Sequence, residues 1–303
     1  MTMKIAITGA SGLLGTAVQA ALRERGHAIT RVVRSREAAR AADAIYWDPA
    51  AAELDADGLA GHDAIVNLAG ENIAGVWTEA KKARIRRSRV DGTRLLADAI
   101  AALPAERRPA VMVNASGVHY FGDRPRDRAL TEEDPPGEGF MARLVQDWEA
   151  AADPARGAGV RVVHLRFGLV LDPDALLLQA TATATRLGLG ATFGDGTQPF
   201  PWITREDVVR LVVFAIERPA LDGPVNAVAP ERTTNRDYAD TLARVLGRPR
   251  VLRIPTFALR MLGDLGRDLT GGAWVVPRKL EGAGYEWRDP RLEPALRRLL
   301  DRP

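Results

Sequence analysis

The chain of 303 residues has no cysteine. That excludes disulfides, thiolate nucleophiles and cysteine-held zinc. Histidine is scarce too. His27, His62, His119 and His164 are the only four, and they are too scattered to form a recognisable metal motif. No apolar run approaches the ~20 residues needed to span a bilayer. The first strand-like run begins at Lys4, which leaves no space for a signal peptide. The expectation is a soluble cytoplasmic protein without membrane contact. Lysine is nearly absent, so arginine makes up most of the 42 basic residues that face 39 acidic ones, for a net charge of +3. No basic stripe interleaved with aromatics appears, so nucleic acid is not an expected partner. What remains is ordinary: 46% hydrophobic residues suffice for a sizeable core. The length allows one large domain or two closely packed lobes.

The most telling segment is Lys4-Ile-Ala-Ile-Thr-Gly-Ala-Ser-Gly-Leu-Leu-Gly15. Ile5-Ala6-Ile7 reads as a buried strand, and Thr16–Arg25 continues as a helix closed by Gly26. Between them stand Gly9, Gly12 and Gly15. Strand, glycine-rich turn and helix in that order are what a dinucleotide site requires. The first glycine allows the tight turn, the second the approach of a pyrophosphate, and the third close packing of helix on strand. Ser11, Leu13 and Leu14 lie at the helix N-terminus, whose partial positive charge favours phosphate. The alternative is a purely structural turn.

Strand patterns at Lys4–Thr8, Ala28–Val33, Ala44–Trp47, Asp63–Ala69, Ala110–Ala115 and Arg161–Phe167 alternate with helical ones. The clearest helices are Leu14–Arg25, Glu79–Leu103 and Gly139–Ala152. Such alternation predicts an α/β fold with a parallel sheet covered on both faces. Ligands then sit beyond the carboxyl ends of the strands. After about residue 170 the texture changes to helices at Leu176–Leu187, Arg205–Glu217, Asn235–Leu246 and Thr256–Leu269, joined by short strands and Gly/Pro-rich turns. We expect a nucleotide-binding domain over residues 1–170 and a smaller substrate lobe over 171–303.

The strand ends sharpen the cofactor reading. An acidic residue after the second strand would accept the ribose hydroxyls of NAD. Here Val33 leads into Arg34, Ser35 and Arg36. Arginine matches a 2′-phosphate, which favours NADP(H), unless this is simply an exposed basic turn. Asp48 follows the third strand, where a carboxylate could accept from an adenine amino group. Asn67-Leu68-Ala69-Gly70 ends the fourth with small residues that let a ribose or diphosphate lie against backbone. Arg84, Arg86, Arg87 and Arg89 cluster on one helix, as a solvated face or as contacts to an anionic cofactor.

With these segments and Ser116-Gly-Val-His-Tyr-Phe-Gly122, the chain resembles an extended short-chain dehydrogenase/reductase of the sugar-nucleotide-epimerase type. More narrowly it is similar to an atypical, nucleoside-diphosphate-sugar epimerase-like branch. Leu68-Ala-Gly-Glu-Asn72, Asp147-Trp-Glu149, Pro201-Trp-Ile203, Pro224-Val-Asn-Ala227 and Val276-Pro-Arg-Lys279 all fit it. The last lies in a C-terminal module of unknown function, at about residues 250–303. The resemblance implies a Rossmann-like, doubly wound sheet and a bound NADP(H). It implies cofactor contacts at the Gly9–Gly15 turn, at Val33 and Arg34, at Leu68 and Ala69, and from the helix bearing Arg84, Ser88 and Arg89. Extended relatives are often dimeric through helices beside the sheet, so monomer and homodimer both stay open.

The resemblance also exposes a departure. Active relatives use Tyr-x-x-x-Lys on a helix, where the four-residue spacing puts both groups on one face. The four tyrosines here, Tyr46, Tyr120, Tyr238 and Tyr285, are followed four places on by Ala50, Arg124, Leu242 and Asp289. At the family's position stand Phe140 and Leu144, neither of which carries a proton. Ser116 fits the family's substrate-orienting serine. His119 and Tyr120 follow it and are candidate proton donors, or else a satisfied loop histidine and a packing ring. Glu149 reads as structural. On the substrate side, Arg166 could meet an anionic substrate or a buried carboxylate, while Gln198 and Trp202 either contact substrate or cap the sheet. Two functions stay open: an NADP-dependent enzyme acting on a small carbonyl, alcohol or nucleotide sugar, and a redox-inert NADP(H)-binding sensor or interaction protein.

Overall fold

The computed structural model describes residues 2–301. The first half runs β1 (Lys4–Thr8), α1 (Leu13–Glu24), β2 (Ala28–Val33), β3 (Ala44–Asp48), β4 (Glu53–Leu54), β5 (Ala64–Asn67), α2 (Glu79–Ala102), β6 (Val111–Gly117), α3 (Phe140–Ala150), α4 (Asp153–Gly157) and β7 (Arg161–Phe167). The second runs β8 (Leu169–Leu171), α5 (Leu176–Arg186), β9 (Gly190–Phe193), β10 (Trp202–Thr204), α6 (Arg205–Glu217), β11 (Gly223–Ala227), α7 (Asn235–Val245), β12 (Arg250–Ile254), α8 (Thr256–Arg260), α9 (Asp264–Thr270), α10 (Arg278–Gly282) and α11 (Leu292–Leu300).

The main sheet has eight strands in the order β11-β7-β6-β5-β1-β2-β3-β4. Its pairs are parallel apart from the β3–β4 hairpin. Strands buried on both faces read as unbroken apolar runs. Accordingly Ile5, Ala6 and Ile7 of β1 and Ala64, Ile65 and Val66 of β5 are all 0% exposed. The pleat divides them. Ile5 and Ile7 join Val18 and Leu22 of α1 and Val208 and Leu211 of α6 on one face. Ala6 and Ile65 join Leu96 and Ile100 of α2 and Ala155 of α4 on the other. From β1 the order runs to β2 and β3 on one side and to β5, β6 and β7 on the other. That reversal opens a crevice at the carboxyl ends of β1 and β5, where doubly wound sheets hold their ligand.

The second half differs from the expected clean division. β11 adds the eighth strand beside β7, and α6 covers one face of the sheet, so residues beyond 170 complete the first core. An edge strand arriving late in a parallel sheet is a non-local pairing with no local signal. Two short parallel pairs, β8–β10 and β9–β12, and the helices α5, α7 and α11 build a smaller core around Trp202, Leu242 and Leu296. The single helix expected over Thr256–Leu269 is two, α8 and α9. Gly263 sits between them at φ +65°, a left-handed conformation that ends one helix and redirects the chain into the next.

Candidate cofactor cleft and substrate cavity

The three glycines of the β1–α1 turn are not equivalent. Gly9 has φ +66°, and a Cβ there would lie 2.8 Å from the Leu68 carbonyl. A Cβ on Gly15 would come within 2.1 Å of the Gly9 carbonyl oxygen. Backbone is the obstacle in both cases, so the fold itself demands glycine. Gly12 is exposed and extended, at φ −81° and ψ 172°, and a Cβ on it would meet only the Gly9 oxygen at 3.3 Å. Packing gives little reason for glycine there; room for a ligand does. Gly12 caps α1 with no side-chain hydrogen bond. The first-turn N–H groups beside Leu13 and Leu14 are thus left for an anion.

The opposite wall is fixed by a buried polar chain. The Thr8 hydroxyl donates to Asn67 Oδ1 (2.6 Å) and accepts from the N–H groups of Leu68 (3.1 Å) and Ala69 (3.2 Å). Asn67 Nδ2 donates to Thr93 Oγ1 (2.9 Å) and Asn114 Oδ1 (2.6 Å), and Trp148 Nε1 donates to the same threonine oxygen (2.9 Å). One set of hydrogen bonds therefore ties the ends of β1 and β5 and the middle of β6 to α2 and α3, and fixes Leu68 and Ala69 beside the end of β1.

At the end of β2, next to Val33, Arg34 and Ser35 are exposed. Arg34 makes no ion pair or side-chain hydrogen bond among the described residues, whereas Ser35 Oγ accepts from the Ala38 N–H (3.2 Å). Arg36 is occupied elsewhere, paired with Glu53 and 4.2 Å from the Tyr46 ring centroid. Asp48 caps its own turn by accepting from the Ala50 N–H at 3.0 Å. The arginine cluster splits as helix geometry demands. Arg86 pairs outward with Asp147 (2.9 Å), and Arg84 is exposed, 3.6 Å from Glu71. Only Arg89 turns in. It donates to the Glu71 carbonyl (3.0 Å), lies 5.1 Å from the Trp148 ring, and would be 3.2 Å from a Cβ on Gly70. Burial pushes its pKa down to about 10, with Glu71 opposing. Ser88 Oγ accepts from the Glu71 N–H at 2.9 Å. Ser88 and Arg89 thus hold the Gly70–Glu71 backbone in place.

A cavity of about 520 Å³ opens past the end of β6, between His119, the start of α3, the segment after β9, and α8–α9. Of the three candidate catalytic residues, only His119 lines it. His119 Nε2 lies 3.2 Å from Asp268 Oδ2, and the histidine side chain stays 24% exposed. Burial disfavours the imidazolium, but the charge and hydrogen bond of Asp268 outweigh burial and a more distant Arg89, and the pKa is held above its ordinary 6.5. Asp268 was not anticipated. It lies 149 residues along the chain, on α9, with no local signature. Phe140 also lines the cavity, 5.9 Å from Trp77 between ring centroids, while Leu144 is buried.

The remaining expectations change on contact with the structure. Ser116 is buried and donates to Glu149 Oε1 at 2.6 Å. Arg166, 2% exposed, grips both oxygens of Glu149 through Nε and Nη2 at 2.8 Å each. Of its two alternatives, the buried carboxylate is the one realised. The Tyr120 ring covers that guanidinium at 3.4 Å and does not line the cavity. Trp202 is fully buried with its Nε1 donating to Thr233 Oγ1 (3.1 Å), so it is a core residue and not a substrate contact. Gln198 lines the cavity, yet its Nε2 is spent on the carbonyls of Phe193 (3.1 Å) and Leu269 (3.0 Å), joining β9 to α9. Among the described residues no group of three or more His, Asp or Glu is placed to hold a metal, and no helix is long and apolar enough to cross a membrane.

Comparison with known proteins agrees with this geometry. Residues 5–228 match the model of the NAD dependent epimerase/dehydratase family, and residues 254–299 match a domain of unknown function. An epimerase family protein of Mycobacterium leprae is 38% identical over 99% of this chain and 96% of its own length. The crystal structure of the human epimerase family protein SDR39U1 with NADPH superposes with a TM-score of 0.86 at 34% identity, covering 98% of this chain and 99% of that one. A UDP-glucose 4-epimerase of Thermotoga maritima, at 18% identity and a TM-score of 0.75, shares the fold. The α8–α9 segment that supplies Asp268 lies within the matched C-terminal domain. The chain belongs to the NAD-dependent epimerase/dehydratase family.

Proposed function

We propose that this protein binds NADP(H) in the β1–β5 crevice and carries out redox chemistry on a small carbonyl or alcohol, with His119 moving the proton. Gly12 and the unengaged Arg34 support the cofactor assignment, as does NADPH in the human relative. The residues fit the group: of the turn's three glycines Gly12 alone has room for a side chain, and Arg34, without a side-chain partner among the described residues, follows β2, where a 2′-phosphate would be met. Bound there, the cofactor would supply or accept a hydride.

The chain's own residues do the rest. Backbone N–H groups at the start of α1 would hold the pyrophosphate. Leu68, Ala69 and Gly70 present backbone, held by Thr8 and Arg89, to the ribose side. An alkoxide forming in the cavity needs a proton donor, and Phe140 and Leu144 offer none. The observation that carries the enzymatic reading is the His119–Asp268 pair in that cavity. Asp268 accepts from Nε2 and favours the charged ring, so Nδ1–H is left to donate. Ser116 acts structurally, through its hydrogen bond to the Glu149 carboxylate that Arg166 holds.

The test compares wild type with His119→Ala for NADPH-induced thermal stabilisation and for NADPH oxidation across a panel of carbonyl compounds. The proposal expects stabilisation in both proteins and turnover only in the wild type. Equal turnover in both removes His119 from the chemistry. Stabilisation with no turnover anywhere in the panel favours a redox-inert binding protein.

A further inference from the structure

The cavity's walls say what kind of molecule it takes, given the reading of His119 above. Four aromatic rings line it, Trp77, Phe140, Phe193 and Phe200. They come from four separate places: the segment before α2, the start of α3, the end of β9 and the turn before β10. Trp77 and Phe140 meet at 60° with centroids 5.9 Å apart, forming one corner. Phe200 is braced from behind by the Tyr238 ring, stacked at 4.3 Å and 18°. Trp77 Nε1, the one polar atom of that ring, is spent on the Ile73 carbonyl at 2.7 Å, so the ring offers the cavity only apolar surface.

Charge points the same way. The carboxylates at the cavity are Asp123, Glu138, Asp264 and Asp268, against two arginines, Arg260 and Arg267. Arg260 is exposed, and Arg267 is 80% exposed and lies 3.7 Å from Asp264. Asp264 is further paired with Lys82. Neither lining arginine is buried, so neither is held as a fixed fork for a phosphate. Of the two inward-turned guanidiniums nearby, Arg89 donates to the Glu71 carbonyl, and Arg166 is bound on two nitrogens by Glu149 and covered by the Tyr120 ring, with Nη1 alone left unpartnered. The walls thus present four carboxylates and only exposed arginines to a dianionic nucleotide sugar.

We propose that the cavity accepts an uncharged, planar, largely apolar carbonyl compound, an aryl ketone or aldehyde, and rejects nucleoside-diphosphate sugars. The rings clamp the planar body, and His119 is the one titrating donor for the carbonyl oxygen. The volume of about 520 Å³ is within the usual range for a small-molecule site. This inference rests on the proposed role of His119, but it is a statement about binding and is tested without turnover.

The experiment is isothermal titration of the full chain, with and without NADP⁺, using 1-acetylnaphthalene and UDP-glucose as probes. We expect saturable one-to-one binding of the ketone and none of the sugar nucleotide. Phe140→Ser at a partly exposed helix start, and Trp77→Ala, should each weaken the ketone about 10-fold, the scale of a lost aromatic contact. Binding is read without turnover, so a failed catalytic role of His119 leaves these titrations as expected, whereas a failed ligand class abolishes them. Saturable binding of UDP-glucose, absence of ketone binding, or ketone binding indifferent to both aromatic substitutions would each overturn the proposal.

Discussion

Replacing Gly12 separates ligand binding from folding in a way its two neighbours cannot. In Gly12→Val the new Cβ meets one atom at 3.3 Å, and the backbone at φ −81°, ψ 172° is a region that valine favours. Losing glycine at the helix cap costs about 1 kcal/mol. Reduced freedom of the unfolded chain returns roughly 0.4–1 kcal/mol. The two nearly cancel, so the melting temperature should stay within about 2 °C of wild type. Gly15→Ala instead drives a Cβ to 2.1 Å from the Gly9 carbonyl oxygen. Overpacking of that kind costs at least ~1–3 kcal/mol, and a backbone obstacle cannot rotate away. NADPH at about 100 times its dissociation constant stabilises a binding-competent fold by ~2.7 kcal/mol, some 5 °C for a chain of this size. Scanning fluorimetry with and without NADPH reads all of this. Wild type should shift by that amount, Gly12→Val should melt normally and not shift, and Gly15→Ala should melt early. A full NADPH shift in Gly12→Val would refute the argument that its missing side chain serves the ligand.

Arg34→Ala should weaken NADPH binding by about 10- to 150-fold, the ~1.5–3 kcal/mol of a charge-assisted contact, with little change for NADH; equal losses would remove Arg34 from the 2′-phosphate. Glu149→Ala leaves the Arg166 charge buried without its partner, and urea unfolding should record a loss of about 3–5 kcal/mol, whereas Ser116→Ala should cost ~1 kcal/mol. The raised pKa of His119 means that its contact with Asp268 stabilises the fold fully below pH 6.5 and that this contribution fades as pH rises through the folded-state pKa. Asp268→Asn should therefore destabilise the protein at pH 5.5 by up to about 1 kcal/mol, the scale of a partly exposed pair, and hardly at pH 9. A loss that grew with pH would reverse the sign and contradict the assignment.

The dinucleotide turn was legible because each of its parts is local. The apolar run Ile5-Ala6-Ile7 of β1 declares a buried parallel strand, and the glycine spacing sits between that strand and a helix. The position of Arg34 just after β2 was legible for the same reason. Asp268 was not, since its partner lies 149 residues away and an aspartate on an irregular helical stretch has no signature of its own. Trp202 misled in the opposite direction: an aromatic in a turn-rich segment reads alike whether it faces a ligand or fills a core, and its complete burial in the second core decides. Arg166 posed a choice between an anionic substrate and a buried carboxylate that sequence could state but not resolve. The edge position of β11 and the break at Gly263 depend on tertiary packing and backbone dihedrals, which periodicity does not carry.

The central claim is that the cofactor's reactive face looks onto the His119–Asp268 pair. A crystal structure of the protein with NADP⁺ measures this directly. The account predicts the nicotinamide C4 within ~7 Å of a His119 ring nitrogen, the span of one carbonyl group held for reaction and for a hydrogen bond. A nicotinamide ring enclosed by Phe140 and other apolar side chains, with no titrating group within that span, would contradict it.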